Sequence, residues 1–151
     1  MSKTLSSTFT SAFENANKLE HLPAISNCKL SMNGLRYMFR YCYNLQEIDI
    51  DFDSWDITEL LNYTSGYEGN FNSYCHSIKE IPMSFYKKVK KERTTAKSSY
   101  LYSMYYYLCA YCHNVAEVIG IPVMTMDKYT SNAFNSSFLN AYRLKDFTFE
   151  T

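Results

Sequence analysis

The residues of this chain that could do chemistry fall into one cysteine–histidine pattern and one acidic row. Cys109-Ala-Tyr-Cys112-His113 is a literal C-x-x-C-H, the spacing through which two thiols and an imidazole hold a c-type haem. Cys75-His76 repeats its last two residues, but residue 72 is Asn, so the pattern reads as a coincidence within a recurring phrase. Zinc would need Cys75, His76, Cys112 and His113 to converge tetrahedrally. An inward Cys sends the next residue elsewhere, so the expectation is no metal and no cofactor.

The acidic row is His21, Glu47, Glu80, Glu117 and Asp146, one residue from each copy of that phrase, with Asp49 and Asp51 beside Glu47 and Glu150 beside Asp146. On stacked strands roughly 4.8 Å apart, neighbouring like charges would repel by about 0.8 kcal/mol even in water. Lys79 and Lys145 dilute that repulsion, and a solvated face is the plain expectation. The functional alternatives are a strip for cations or for a basic partner. A flat sheet supplies a divalent ion's oxygens poorly. Glu47, Asp49, Glu80, Glu117, Asp146 and Thr148 are the candidate binding residues. Catalysis has little support: the chain has no nucleophile elbow, phosphate loop or H-E-x-x-H, so it is expected not to be an enzyme.

These residues depend for their placement on a phrase that occurs five times. The copies run from Phe13 to Leu22, Phe39 to Ile48, Phe71 to Ile81, Leu108 to Val118 and Phe138 to Phe147. Their small residues stand at 16, 42, 75, 112 and 141. Large apolar residues four apart open each copy (Phe9/Phe13, Leu35/Phe39, Tyr67/Phe71, Met104/Leu108, Phe134/Phe138), the spacing of one helix face. Each copy closes as apolar-x-x-apolar-x-apolar, whose end alternates like a short strand. A unit this short cannot bury its own apolar face, whereas stacked units can. The expected fold is α/β: an irregular solenoid of about five helix–strand units forming a short parallel sheet. One domain covers 1–151, with units near 9–25, 35–52, 67–83, 104–123 and 134–149 and inserts at 51–66 and 84–103.

Phe39-x-x-Cys42-x-x-Leu45-x-x-Ile48-x-Ile50 matches F-x-x-C-x-x-L-x-x-I-x-[IL] at every position, and the chain therefore resembles the BspA-type leucine-rich repeats. Copies one and five carry Ala for Cys; copies three and four carry the large residue one place early. The resemblance implies a leucine-rich-repeat solenoid of the kind found in bacterial surface adhesins and bacteriophage virion proteins.

Composition limits the partners. The 151 residues carry no formal net charge, so nothing global attracts nucleic acid or an anionic membrane. The basic run Lys87–Arg93 with Lys97, followed by Tyr100, Tyr102, Tyr105, Tyr106 and Tyr107, is expected to be a helix or ordered loop with its charges in water. No stretch approaches 18 apolar residues, so no membrane span is expected. Five cysteines argue against a closed disulfide framework; Cys42, Cys75 and Cys112 read as a buried thiol column. The functional expectation is a non-enzymatic module binding a protein or glycan at a virion or cell surface; with no signal peptide in this chain, a cytoplasmic location is also open. The alternative is an assembly subunit packed edge-to-edge against neighbouring chains, with Phe147 and Phe149 on the joining edge.

Overall fold

The computed structural model describes residues 9–22, 24–30, 34–61, 72–92, 105, 107–123, 134 and 136–151. Each phrase opens as a run of tight turns. In the first copy, Ala12 N donates to Phe9 O, Glu14 N to Ser11 O, Ala16 N to Phe13 O and Leu19 N to Ala16 O. The intervening residues send their N–H groups sideways. Ser11, Phe13 and Asn15 donate to the carbonyls of Arg36, Met38 and Arg40 in the second copy, each at 3.0 Å. The same step recurs as Tyr41 N to Ser73 O at 3.3 Å, Tyr74 N to Ala110 O at 3.0 Å, and Tyr111 N to Leu139 O at 2.7 Å.

This alternation requires left-handed backbone. Ser11 and Asn15, Tyr37 and Tyr41, Tyr74, Tyr107 and Tyr111, and Ser136 and Asn140 all have φ between 54° and 65°. Each costs a non-glycine residue roughly 1–2 kcal/mol. The lateral bonds offset that cost, because a buried N–H left without a partner costs about as much.

The expected fold of five helix–strand units is overturned. A right-handed helix needs negative φ throughout; left-handed residues four apart exclude one from four of the phrases, and Tyr74 interrupts the third. Among the described residues the helices are α1 (Thr58–Leu61), α2 (Met83–Glu92) and a single 3-10 turn, Phe52–Ser54. All three begin in the segments between phrases. Among the described residues the sheet has two strands rather than five, β1 (Glu117–Ile121) and β2 (Asp146–Phe149), paired in parallel. Among the described residues the first two copies contribute one isolated bridge, Ile25 to Ile50, and a second, Lys29 to Asp56, falls between the expected units. Tyr67, Phe71 and Met104 of the expected helical pairs lie outside the described residues, as do 62–66 of the first insert and 93–103 of the second.

Glu117 pairs with Asp146 and Val118 with Phe147, but the next pair is Ile121 with Phe149. One extra residue therefore sits on β1. Gly120 takes up the bulge with φ +70°, and its N–H donates to Thr148 Oγ1 at 3.2 Å.

Copies three and four also fit the ladder one residue differently from their sequence pattern. Cys75 N closes its turn on Asn72 O and Cys112 N on Cys109 O, as Cys42 N does on Phe39 O. Asn72 and Cys109 thus stand where the other copies place Phe13, Phe39 and Phe138. Asn72 is fully buried, and its Nδ2 donates to Leu108 O at 3.1 Å.

The core lies along the inside of the turns. Leu35, Phe39, Leu45, Ile78, Leu108 and Val115 are fully buried. Cys42, Cys75 and Cys112 form the expected inner column, and each thiol also donates to a carbonyl of the preceding copy: Phe13 O (3.0 Å), Phe39 O (3.1 Å) and Asn72 O (3.5 Å). The segments between phrases close this core. Trp55 stacks on Phe9 and donates Nε1–H to Ile25 O, while Phe52 packs against Phe85 of α2. One charge of α2 turns inward against expectation: Lys88 is buried and its Nζ reaches Asp53 O (3.2 Å) and Glu92 (2.5 Å). Among the described residues, no helix is long and apolar enough to cross a membrane.

Phe39 stacks on Phe13 with ring centres 5.6 Å apart and is fully buried. Phe39→Ala should lower unfolding free energy by about 3–5 kcal/mol in urea titrations. Burial pushes the Cys42 thiol from 9.0 up to about 11, and burial also raises Cys75. The unfolded chain then gives up its thiol protons first, so stability should fall as pH rises from about 9 toward 11. Cys42→Ala should make that decline shallower in denaturation series across pH.

Candidate functional site

A groove of about 680 Å³ is lined by segments of three copies, Gln46–Ile50, Lys79–Ser84 and Glu117–Ile119, together with His21. Its origin is local. Gln46 N still donates to Glu20 O and Lys79 N to Gln46 O, so the copies stay joined just after their small residues. Beyond Ile81 stands Pro82, which has no N–H to continue the ladder. Met83 N folds back onto Ile81 O and α2 begins. The third copy leaves the array there, and its neighbours are left flanking a gap.

Four of the six candidate binding residues meet in this groove: Glu47, Asp49, Glu80 and Glu117. All four are exposed. Asp146 and Thr148 do not line it; they lie on β2, paired to β1, and the Thr148 hydroxyl accepts the Gly120 N–H. Glu150, which the sequence placed beside Asp146, pairs with Lys90 of α2 at 2.6 Å. Phe147 and Phe149 project from β2 about half exposed, at 47% and 46%. Phe147 stacks on Phe138 at 5.0 Å, and Phe149 meets Phe134 edge-on at 5.8 Å.

Inside the groove, His21 Nδ1 lies 3.3 Å from Glu47 Oε1, both side chains well exposed. An ion pair so open to water contributes at most about 1 kcal/mol. Ile48, Pro82, Met83 and Ile119 supply apolar surface between the carboxylates. A smaller polar recess of about 220 Å³, lined by Glu20, Asn44, Gln46, Ser77, Lys79 and Asn114, continues it and shares Gln46 and Lys79.

The residues after each central small position build a surface column. Tyr43, His76, His113 and Tyr142 stack in succession at 4.6, 4.2 and 4.9 Å. The preceding residues build a second one, Tyr41–Tyr74–Tyr111, at 4.6 and 4.1 Å. This arrangement separates the C-x-x-C-H residues: Cys109 and Cys112 are fully buried, while His113 stands outside in the ring column. All five thiols are free. Among the described residues, no group of three or more His, Cys, Asp or Glu side chains is placed to hold a metal ion.

Sequence reasoning missed Pro82, Met83, Ser84 and Ile119 as lining residues. Ile81-Pro82 was the available signal, since proline marks where a ladder must stop. The His76–His113 stack was also missed, although both follow a cysteine at the same place in the phrase.

No protein-family model matches this chain, and neither the curated proteins nor the solved structures contain a match to it.

Glu80→Gln and Glu117→Gln should each change unfolding free energy by less than about 0.5 kcal/mol in urea titrations, because both side chains are exposed. Burial, and then the neighbouring His113, lower the His76 pKa from 6.5. The native state therefore binds fewer protons than the unfolded chain in acid, and stability should fall as pH drops below about 6.5. Thermal melts across pH for the unmodified chain and for His76→Tyr would check this, with the variant less acid-sensitive.

Proposed function

We propose that this chain is a non-catalytic recognition module of a virion or cell-surface structural protein, binding a protein or glycan along the groove. The observation that carries the reading is the groove itself, with Glu47, Asp49, Glu80 and Glu117 set among aliphatic side chains on three backbone segments. About 680 Å³ falls within the usual range for a ligand site. Its carboxylates accept hydrogen bonds from sugar hydroxyls or from Lys and Arg side chains, and the apolar surface between them adds contact area. The lining is open to water, which suits recognition better than chemistry needing desolvated groups. The match of Phe39 to Ile50 to the BspA-type phrase supports the surface or virion location.

A binding screen on glycan and lysine-rich peptide panels tests the reading. The chain with Glu47→Gln, Glu80→Gln and Glu117→Gln combined serves as control. The expected result is a ligand whose affinity falls by about tenfold or more in the triple variant. Equal binding by both chains would remove the groove from the function.

A second reading, an assembly subunit packed edge-to-edge, draws support from the half-exposed Phe147 and Phe149 on the free side of β2.

A further inference from the structure

The lateral bonds run forward at the head of each turn segment and backward beyond it, so the faces at the first and fifth copies differ. At the head of each turn segment N–H groups of one copy donate to carbonyls of the next, while further along Ser77 N donates back to Tyr43 O and Asn114 N to His76 O. At the fifth copy the donor positions include Phe138 N and Asn140 N; at the first copy the matching acceptor positions include Ala12 O and Glu14 O. None of these four groups has a backbone partner among the described residues. The head of the fifth turn segment thus presents donors, and the head of the first presents acceptors at the same spacing.

Two side-chain positions of the two ends are matched in charge, against one like-charged pair, Arg143 with Lys18. In the register that joins successive copies, Lys145 corresponds to Glu20, and Asp146 corresponds to His21. The internal precedent is the first junction, where His21 already meets Glu47, and Glu14 pairs with Arg40. Apolar surface accompanies the fifth copy: Leu139 is 40% exposed and Tyr142 73% exposed, beside Phe147 and Phe149.

We propose that the fifth copy of one molecule docks on the first copy of a second molecule, continuing the turn ladder across the junction. Phe138 N would meet Ala12 O, Asn140 N would meet Glu14 O, and Lys145 would face Glu20. This rests on the assembly reading above and names its partner as a second copy of the same chain. Because the two surfaces differ, the contact is heterologous and does not use itself up: each added molecule presents a fresh fifth-copy surface.

Light scattering of the full chain across a concentration series tests this, with Lys145→Glu and Glu20→Lys as single variants. Both positions are exposed, and circular dichroism would verify that each variant folds. The unmodified chain should show a weight-average mass that climbs with concentration and does not level off at a dimer. Each variant should associate about three- to tenfold more weakly, since a like-charged pair replaces an opposite one. An equimolar mixture of the two should recover association, because molecules of the two variants can alternate and every junction between them then joins opposite charges. A plateau at the dimer overturns the open-ended junction. Association that ignores both variants overturns this register while leaving an edge-to-edge assembly standing. A chain that stays monomeric at every concentration overturns the docking and self-assembly together.

Discussion

Half of the backbone N–H groups in each turn segment cannot be satisfied within their own copy. Residues such as Ala12, Glu14 and Ala16 close turns three residues back, which leaves Ser11, Phe13 and Asn15 aimed outward. Their only structural outlet is the carbonyl row of the next copy. This one constraint sets the stacking direction and the spacing of successive copies. It also sets the column of residues that lands on each side: thiols inside, tyrosines before them, and a tyrosine–histidine stack after them.

The groove arises where that constraint is released. A ladder can end only where the donor is missing or is satisfied elsewhere, and Ile81-Pro82-Met83 does both. Proline supplies no N–H, and the helix that follows takes over the hydrogen bonding. The same exit carries α2 across the core, where Phe85, Tyr86 and Val89 are fully buried. Opening the groove and closing the core are thus two results of a single change in chain direction.

The period, the inner thiol column and the grouping of Glu47, Glu80 and Glu117 were legible in the sequence, because each depends on which residue recurs in which slot. The local conformation was not. Large residues four apart fit one face of a helix, and they fit equally well a ribbon in which every second turn faces the core. Left-handed backbone would have separated the two, but its usual marker is glycine. Here tyrosine, serine and asparagine hold those angles, and the lateral bonds that compensate them are invisible until neighbours are placed. Copies three and four show the same limit on a finer scale. Phe71 and Leu108 look like the core anchors, yet Asn72 and Cys109 occupy the slot, because hydrogen-bond register outranks side-chain likeness.

The lateral bonds also decide when the chain can fold as it is made. Ser11, Phe13 and Asn15 find their acceptors only at residues 36–40, so the first copy cannot settle while it is alone outside a ribosome. Contacts this distant in sequence require loop closure before they return any stabilisation, which slows folding. The nascent chain must therefore remain unsettled until a second copy has emerged. Each later copy then finds a template already in place, so folding can keep pace with synthesis.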